Sequence, residues 1–239
     1  MAAAKERLPP RIIMYASPPE KGGDFRIFRT SLGYNRKNRR YMKELIKRAV
    51  LASILIGLGD YVLLKVGAPV GAFLFALGLY GVCLLGANLF TGKCGFVIED
   101  KKWRELGIIL VANLIAGWLV GWLFSLADPA IHEAAVAKFN SWDLSLGFFL
   151  RSVFCGMIMY IAVKCYKLGS IWGVFIGVPL FILAGFQHSI ANVITAGAAV
   201  SWSWTILLCA LGNFVGSVVI AWLAGVAPSA KKKSSKVRK

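Results

Sequence analysis

Histidine and acidic side chains are scarce in this chain: two His and 11 Asp or Glu stand against 28 Lys and Arg in 239 residues. Two histidines leave a multi-histidine metal centre without ligands, so no metal or other cofactor is expected. The five cysteines, Cys83, Cys94, Cys155, Cys165 and Cys209, show no CxxC spacing. They read as small packing residues rather than a disulfide frame or a zinc site. The formal charge of +17 would suit a nucleic-acid binder if it were spread over the chain, but residues 1–48 carry +9 of it and residues 231–239 another +6. Charge confined to the ends of an apolar chain is the positive-inside pattern, and no nucleic-acid partner is expected. The N-terminus has basic residues but no short apolar core followed by small residues, so nothing there reads as a cleaved signal.

What fills the middle is hydrocarbon. Hydrophobic residues make up 58% of the chain, mean hydropathy is +0.67, and the apolar runs are long enough for a bilayer core about 30 Å thick. Six spans are expected, over about 49–64, 70–98, 103–126, 144–163, 170–196 and 201–225. Shifting the starts of the first three by about 98 residues lands near the starts of the last three. Three spans per half put the second half upside down relative to the first. The expected architecture is an all-α membrane protein of six transmembrane helices in two inverted three-helix repeats. Residues 1–44 would form a basic cytoplasmic extension, 45–226 the membrane domain and 227–239 a basic cytoplasmic tail.

The second and fifth spans are interrupted, at Gly86-Ala87-Asn88-Leu89-Phe90-Thr91-Gly92 and at Gly185-Phe186-Gln187-His188-Ser189-Ile190-Ala191-Asn192. Backbone that leaves the helix at that depth must be buried in protein or line a wet cavity, because an unsatisfied amide costs several kcal/mol in hydrocarbon. The two breaks therefore mark a pathway. Lys and Arg cluster in both tails and in the loops with Lys101, Lys102, Arg104, Lys164 and Lys167, which places both termini in the cytoplasm and the protein in the plasma (inner) membrane. The basic stretch Arg36–Arg48 reads as an interfacial helix or as a solvated linker. Asp60 and Lys65 read as an interfacial charge pair.

His188 is an intramembrane ionisable residue, which points to transport. Its imidazole can hold or release a proton near neutral pH and can donate to an anion. The alternative is a neutral structural histidine with both nitrogens bonded, one of them to Asn192. Thr91 offers a hydroxyl and a free amide at the start of a half-helix, a position suited to anions. Leu89, Phe90 and Phe181 could form dry constrictions or simply pack. No nucleophile is paired with a base, since His188 and Ser189 point about 100° apart on a helix, so an enzyme is not expected.

Three segments, Asn88-Leu89-Phe90-Thr91-Gly92, Gly185-Phe186-Gln187-His188-Ser189-Ile190-Ala191-Asn192 and Leu211-Gly212-Asn213-Phe214-Val215-Gly216, resemble motifs of the formate/nitrite transporter family, which also includes hydrosulfide and lactate channels. The resemblance covers about residues 45–225. It implies an aquaporin-like protomer, a homopentamer with one pore per subunit, His188 as the central histidine and Thr91 as the mobile threonine. It also implies Leu89 and Phe90 as one hydrophobic gate, Phe181 with Met159 as the other, and Lys138 as the lysine that makes the outer vestibule positive. Small monovalent anions, formate foremost, and protons would then be what it moves. Nitrite or hydrosulfide is the alternative within the family, and a pore for neutral solutes lacks paired Asn-Pro-Ala breaks. The chain departs from the family pattern at Gly156, where an Asn side chain would be expected to reach Thr91, at Gln187, where relatives have Glu, and at Lys93 and Cys94.

Overall fold

A computed structural model describes residues 25–225, with side chains from Asn38 onward. The chain divides into two units, Met1–Arg40 and Tyr41–Lys239, and the cavities and polar contacts of interest belong to the second. Most of the expected N-terminal extension and the C-terminal tail lie outside the described residues.

Ten helices make up the described chain: α1 Phe25–Val66, α2 Val70–Leu84, α3 Phe90–Lys93, α4 Val97–Asp100, α5 Trp103–Ala127, α6 Pro129–Asn140, α7 Leu146–Lys167, α8 Trp172–Leu183, α9 Ser189–Ala198 and α10 Thr205–Leu223. Four stretches, Asn38–Val66, Trp103–Ala127, Leu146–Lys167 and Thr205–Leu223, are long and apolar enough to cross a membrane. Helices α2, α8 and α9 are apolar but shorter. The basic segment before the first apolar run continues into α1 without a break. The polar stretch between the halves is largely helical, as α6. Asp128 caps that helix, its carboxylate accepting from the Ala130 N–H at 3.0 Å, and Pro129 takes the first helical position, where a missing N–H costs nothing. Ile131 and Ala135 bury the helix against Ala198 and Ala199.

Small residues let the helices approach closely. Helix α5 meets α9 where Gly121 and Gly197 face the backbones of Ile194 and Trp118. Helix α7 meets α10 where Gly156 and Gly216 face those of Asn213 and Val153; a Cβ on any of the four would overlap the opposing carbonyl. The Trp118 indole N–H donates to the Ser201 carbonyl at 2.9 Å and ties the end of α9 to α5.

Helices α2 and α8 end in the same way. Gly86 (φ 60°) and Gly185 (φ 70°) are left-handed, a conformation that costs glycine little. The following amides, of Ala87 and Phe186, each reach back to the carbonyl of Val82 or Phe181 at 2.9 Å. This pattern satisfies carbonyls that the helix end would otherwise orphan. After each glycine the chain runs extended, then enters α3 or α9.

Candidate functional site

The two segments after the glycines, 87–89 and 186–188, carry polar backbone that nearby helices satisfy in matched fashion. The Asn88 N–H donates to the Arg48 carbonyl at 2.9 Å, and the Gln187 N–H to the Arg151 carbonyl at 3.3 Å. Asn113 on α5 accepts from the Phe90 N–H at 2.8 Å and donates to the carbonyls of Asn88 at 3.1 Å and Ala49 at 2.8 Å. Asn213 on α10 accepts from the Ser189 N–H at 2.8 Å and donates to the carbonyls of Gln187 and Ser152, both at 2.8 Å. Each asparagine thus fixes the entrance to one half-helix. Both are fully buried, as a three-bond amide clasp must be when it replaces water.

Leu89 and His188 are the matched N-caps of α3 and α9. The register is one residue longer than the span starts suggest, so Leu89 rather than Phe90 is the counterpart of His188. The histidine caps α9 with its ring, Nδ1 accepting from the Ala191 N–H at 3.1 Å. A nitrogen that accepts a backbone N–H carries no proton, so the hydrogen bonds assign the ring proton to Nε2. Nε2 lies 2.8 Å from Thr91 Oγ1 and donates to it. The Phe181 ring stacks on the imidazole, with centroids 5.7 Å apart and planes 20° apart, and Phe75 meets Phe181 edge-on at 6.2 Å.

Two cavities approach this cluster. One, about 150 Å³, is lined by Asp60, Lys138, Trp142 and Gln187 and ends on Phe181, His188 and Asn192. The other, about 330 Å³, is lined by Cys83, Lys93, Tyr166 and Lys167 and ends on Leu89 and Gly92. Thr91 lines neither and, like Phe90, is buried. Met159 is buried in the core and borders neither cavity.

Several side chains sit differently from the expectation. Asp60 does not pair with Lys65. It is fully buried, with Oδ1 accepting from Lys138 Nζ at 3.2 Å and Oδ2 from the Thr195 hydroxyl at 2.8 Å. Lys138 therefore reaches its cavity already paired. Lys65 instead bonds Asp128 at 2.6 Å, and the Tyr61 hydroxyl donates to the same carboxylate oxygen at 3.0 Å. The Lys65 ammonium, followed by the Tyr61 hydroxyl and the Ala130 N–H, holds the Asp128 carboxyl below the usual carboxylate range. The Asn192 side chain bonds Gln187 Oε1 at 3.0 Å, and only its backbone N–H meets His188, at the carbonyl, 2.8 Å away. Gly156 lies against the Asn213 backbone, where a Cβ would overlap the Asn213 carbonyl. Sequence reading missed Asn113 altogether and gave Asn213 no role; the available signal was an asparagine in an apolar run at corresponding places in the two halves. Among the described residues, no cluster of three or more His, Cys, Asp or Glu is placed to hold a metal ion.

A family model described as formate/nitrite transporter matches residues 29–225. The chain is 27% identical over 181 residues to an uncharacterized transporter, YrhG, of Bacillus subtilis, covering 66% of this chain and 65% of that one. It is 27% identical over 214 residues to a probable formate transporter of Methanothermobacter thermautotrophicus, covering 65% and 75%. It is 26% identical over 152 residues to the nitrite transporter NirC of Escherichia coli, covering 54% of each. The chain thus spans less than two thirds of the first and third of these relatives. Among solved structures the fold is similar to an FNT family ion channel, with TM-score 0.67 and 19% identity over 80% of this chain and 92% of the other. It is also similar to a pentameric formate channel with formate bound, with TM-score 0.64 and 19% identity over 79% and 99%.

Proposed function

This chain belongs to the formate/nitrite transporter family, and from that premise we propose that it is a channel for small monovalent anions of weak acids, formate foremost, with passage linked to protons at His188. The observation that carries the reading is the 2.8 Å contact between Thr91 Oγ1 and His188 Nε2, beside one cavity that ends on Phe181 and His188 and another that ends on Leu89 and Gly92; we read the buried residues between the two ends as a septum.

The coarse frame is a multi-pass, all-helical membrane protein of a transport family, not an enzyme family. Within it we place six crossings. The four long helices supply four; α2 with α3 and α4, and α8 with α9, supply two broken ones. The matched glycine caps, Arg48 and Arg151 carbonyls and Asn113 and Asn213 clasps support two inverted repeats with an aquaporin-like course. Membrane domain 45–226 then has both termini in the cytoplasm of the inner membrane, the Lys138 cavity opening outward and the Lys167 cavity inward. A homopentamer fits the pentameric formate channel that shares this fold.

A bare anion faces a steep desolvation cost in the septum, whose walls are Leu89, Phe90 and Phe181, with Met159 behind them. The site lowers that cost with two donors, the Thr91 hydroxyl and His188 Nε2–H. A second proton can settle on His188 only at Nδ1, once the Ala191 N–H has let go of it. Transfer of the Nε2 proton to the anion then leaves a neutral ring, protonated at Nδ1, and a neutral acid that crosses. Asn192 holds Gln187 beside the ring, and Lys138 meets the anion at the outer mouth.

Flux of formate, nitrite, hydrosulfide and lactate into proteoliposomes across pH, for the wild type and His188→Ala, tests this. Formate movement well above that of empty liposomes, and its loss in the variant, is the expected result. No acceleration of any anion would overturn it. The similarity to a nitrite transporter keeps nitrite as the second reading, which the relative rates of the panel decide.

A further inference from the structure

The outer cavity holds a carboxylate where a pore for anions has no need of one. Asp60 projects from α1, is fully buried, and binds Lys138 of α6 at 3.2 Å and Thr195 of α9 at 2.8 Å. The lysine side chain keeps 32% of its surface exposed, while the aspartate exposes none. Both residues line the cavity that ends at His188, and among the described residues no other charged side chain lines it.

A cation alone in so narrow a mouth would bind an anion and hold it, and a site that binds tightly releases slowly, which is poor conduction. The carboxylate cancels most of that field without blocking the ammonium, whose remaining N–H groups stay open to the cavity. Thr195 holds the second oxygen, so the carboxylate is fixed. We propose that Asp60 is the resident counter-ion of the outer mouth: it sets how tightly Lys138 holds a passing anion and so determines affinity and throughput together. The inference rests on the channel reading above and names the residue that tunes it.

The full-length chain in proteoliposomes, with formate as the probe, gives the test. Asp60→Asn keeps the volume and the acceptor for Lys138 but removes the charge. Its half-saturating formate concentration should fall at least tenfold, and its maximal flux should fall too. Thr195→Val removes a hydrogen bond but keeps the charge, and its half-saturation should stay within twofold of the wild type. Lys138→Gln, which leaves the carboxylate unpaired, should raise half-saturation at least tenfold. In Asp60→Asn/Lys138→Gln, where both charges are gone, it should return to within threefold of the wild type. If Asp60→Asn does not assemble, this double variant carries the test. An assembled Asp60→Asn with unchanged half-saturation overturns the proposal. So does a Thr195→Val shift as large as that of Asp60→Asn, or a double variant as impaired as Lys138→Gln. A wild type that moves no anion removes the channel reading itself, whereas a conducting wild type with an unaltered Asp60→Asn removes only the role of Asp60.

Discussion

Thr91 and His188 are 97 residues apart in the chain, yet Oγ1 and Nε2 lie 2.8 Å from each other in a buried site. Because His188 Nδ1 is occupied by the Ala191 N–H, Nε2 is the nitrogen with a proton to share. The Thr91 hydroxyl accepts that proton's hydrogen bond and keeps its own hydrogen free to donate. Replacing Thr91 with Val leaves the shape and removes the partner, and an unpaired buried N–H costs about 1–3 kcal/mol. Thr91→Val should therefore lower formate flux at least tenfold, whereas Thr91→Ser should retain most of it; stopped-flow uptake by proteoliposomes reads both.

Asn213 satisfies one N–H and two carbonyls at the entrance to α9. Asn213→Ala leaves the Ser189 N–H without its partner and takes a donor from both carbonyls, although Gln187 keeps the Cys209 thiol at 3.2 Å, and the expected cost is about 1–3 kcal/mol of stability. Thermal unfolding in detergent should show a large drop in Tm for Asn213→Ala and a similar one for Asn113→Ala.

Gly156 is a contact between helices, not a position facing the pathway. Gly156→Asn, which restores the side chain expected from the family pattern, would drive that side chain into the Asn213 carbonyl. Overpacking of this kind costs about 1–3 kcal/mol or more, so the variant should lose thermal stability and assembly. Greater stability and flux in Gly156→Asn would contradict this packing.

Phe181 is stacked on the imidazole and closes the Lys138 cavity. Phe181→Ala should widen that end. The lactate-to-formate flux ratio, measured by parallel uptake, should rise severalfold over the wild type.

Asp128 offers a pH test away from the pathway. Lys65, and behind it Tyr61, hold its carboxyl below the ordinary range, so the folded state binds the proton less readily than the unfolded chain does. Its stabilising contribution is present above the ordinary carboxylate pKa of about 4 and is lost as pH falls through the depressed folded value. The Tm difference between the wild type and Asp128→Asn should be positive and constant near neutrality and should shrink below about pH 4.

The apolar runs and the two glycine-led breaks were legible in the sequence because hydrocarbon imposes length, and because orphaned amides force polar or glycine residues to appear together. Gly86, Gly185, His188 and Thr91 all stand out for that reason. Asp60 was read wrongly because Lys65 is near in sequence, while Lys138 and Thr195, its partners, lie on two helices that only the fold brings to α1. Gly156 was judged by the side chain it lacks, although its value lies in the backbone it lets approach. Asn113 went unnoticed because a single polar residue in an apolar helix carries no local pattern; its three partners come from two other segments. The α6 helix was hidden because its 12 residues are too short for a span and polar residues flank it, although Asp128-Pro129 is a start signal in its own right.

In the channel we propose, the pathway crosses the membrane through the Thr91 and His188 pair and takes a proton there. Formate uptake and internal pH recorded together in the same proteoliposomes test it, using wild type and His188→Asn, whose side-chain oxygen preserves the N-cap of α9. The wild type should move formate with a matching proton signal, and His188→Asn should lose at least nine tenths of both. Equal formate and proton movement in the two proteins would contradict the claim.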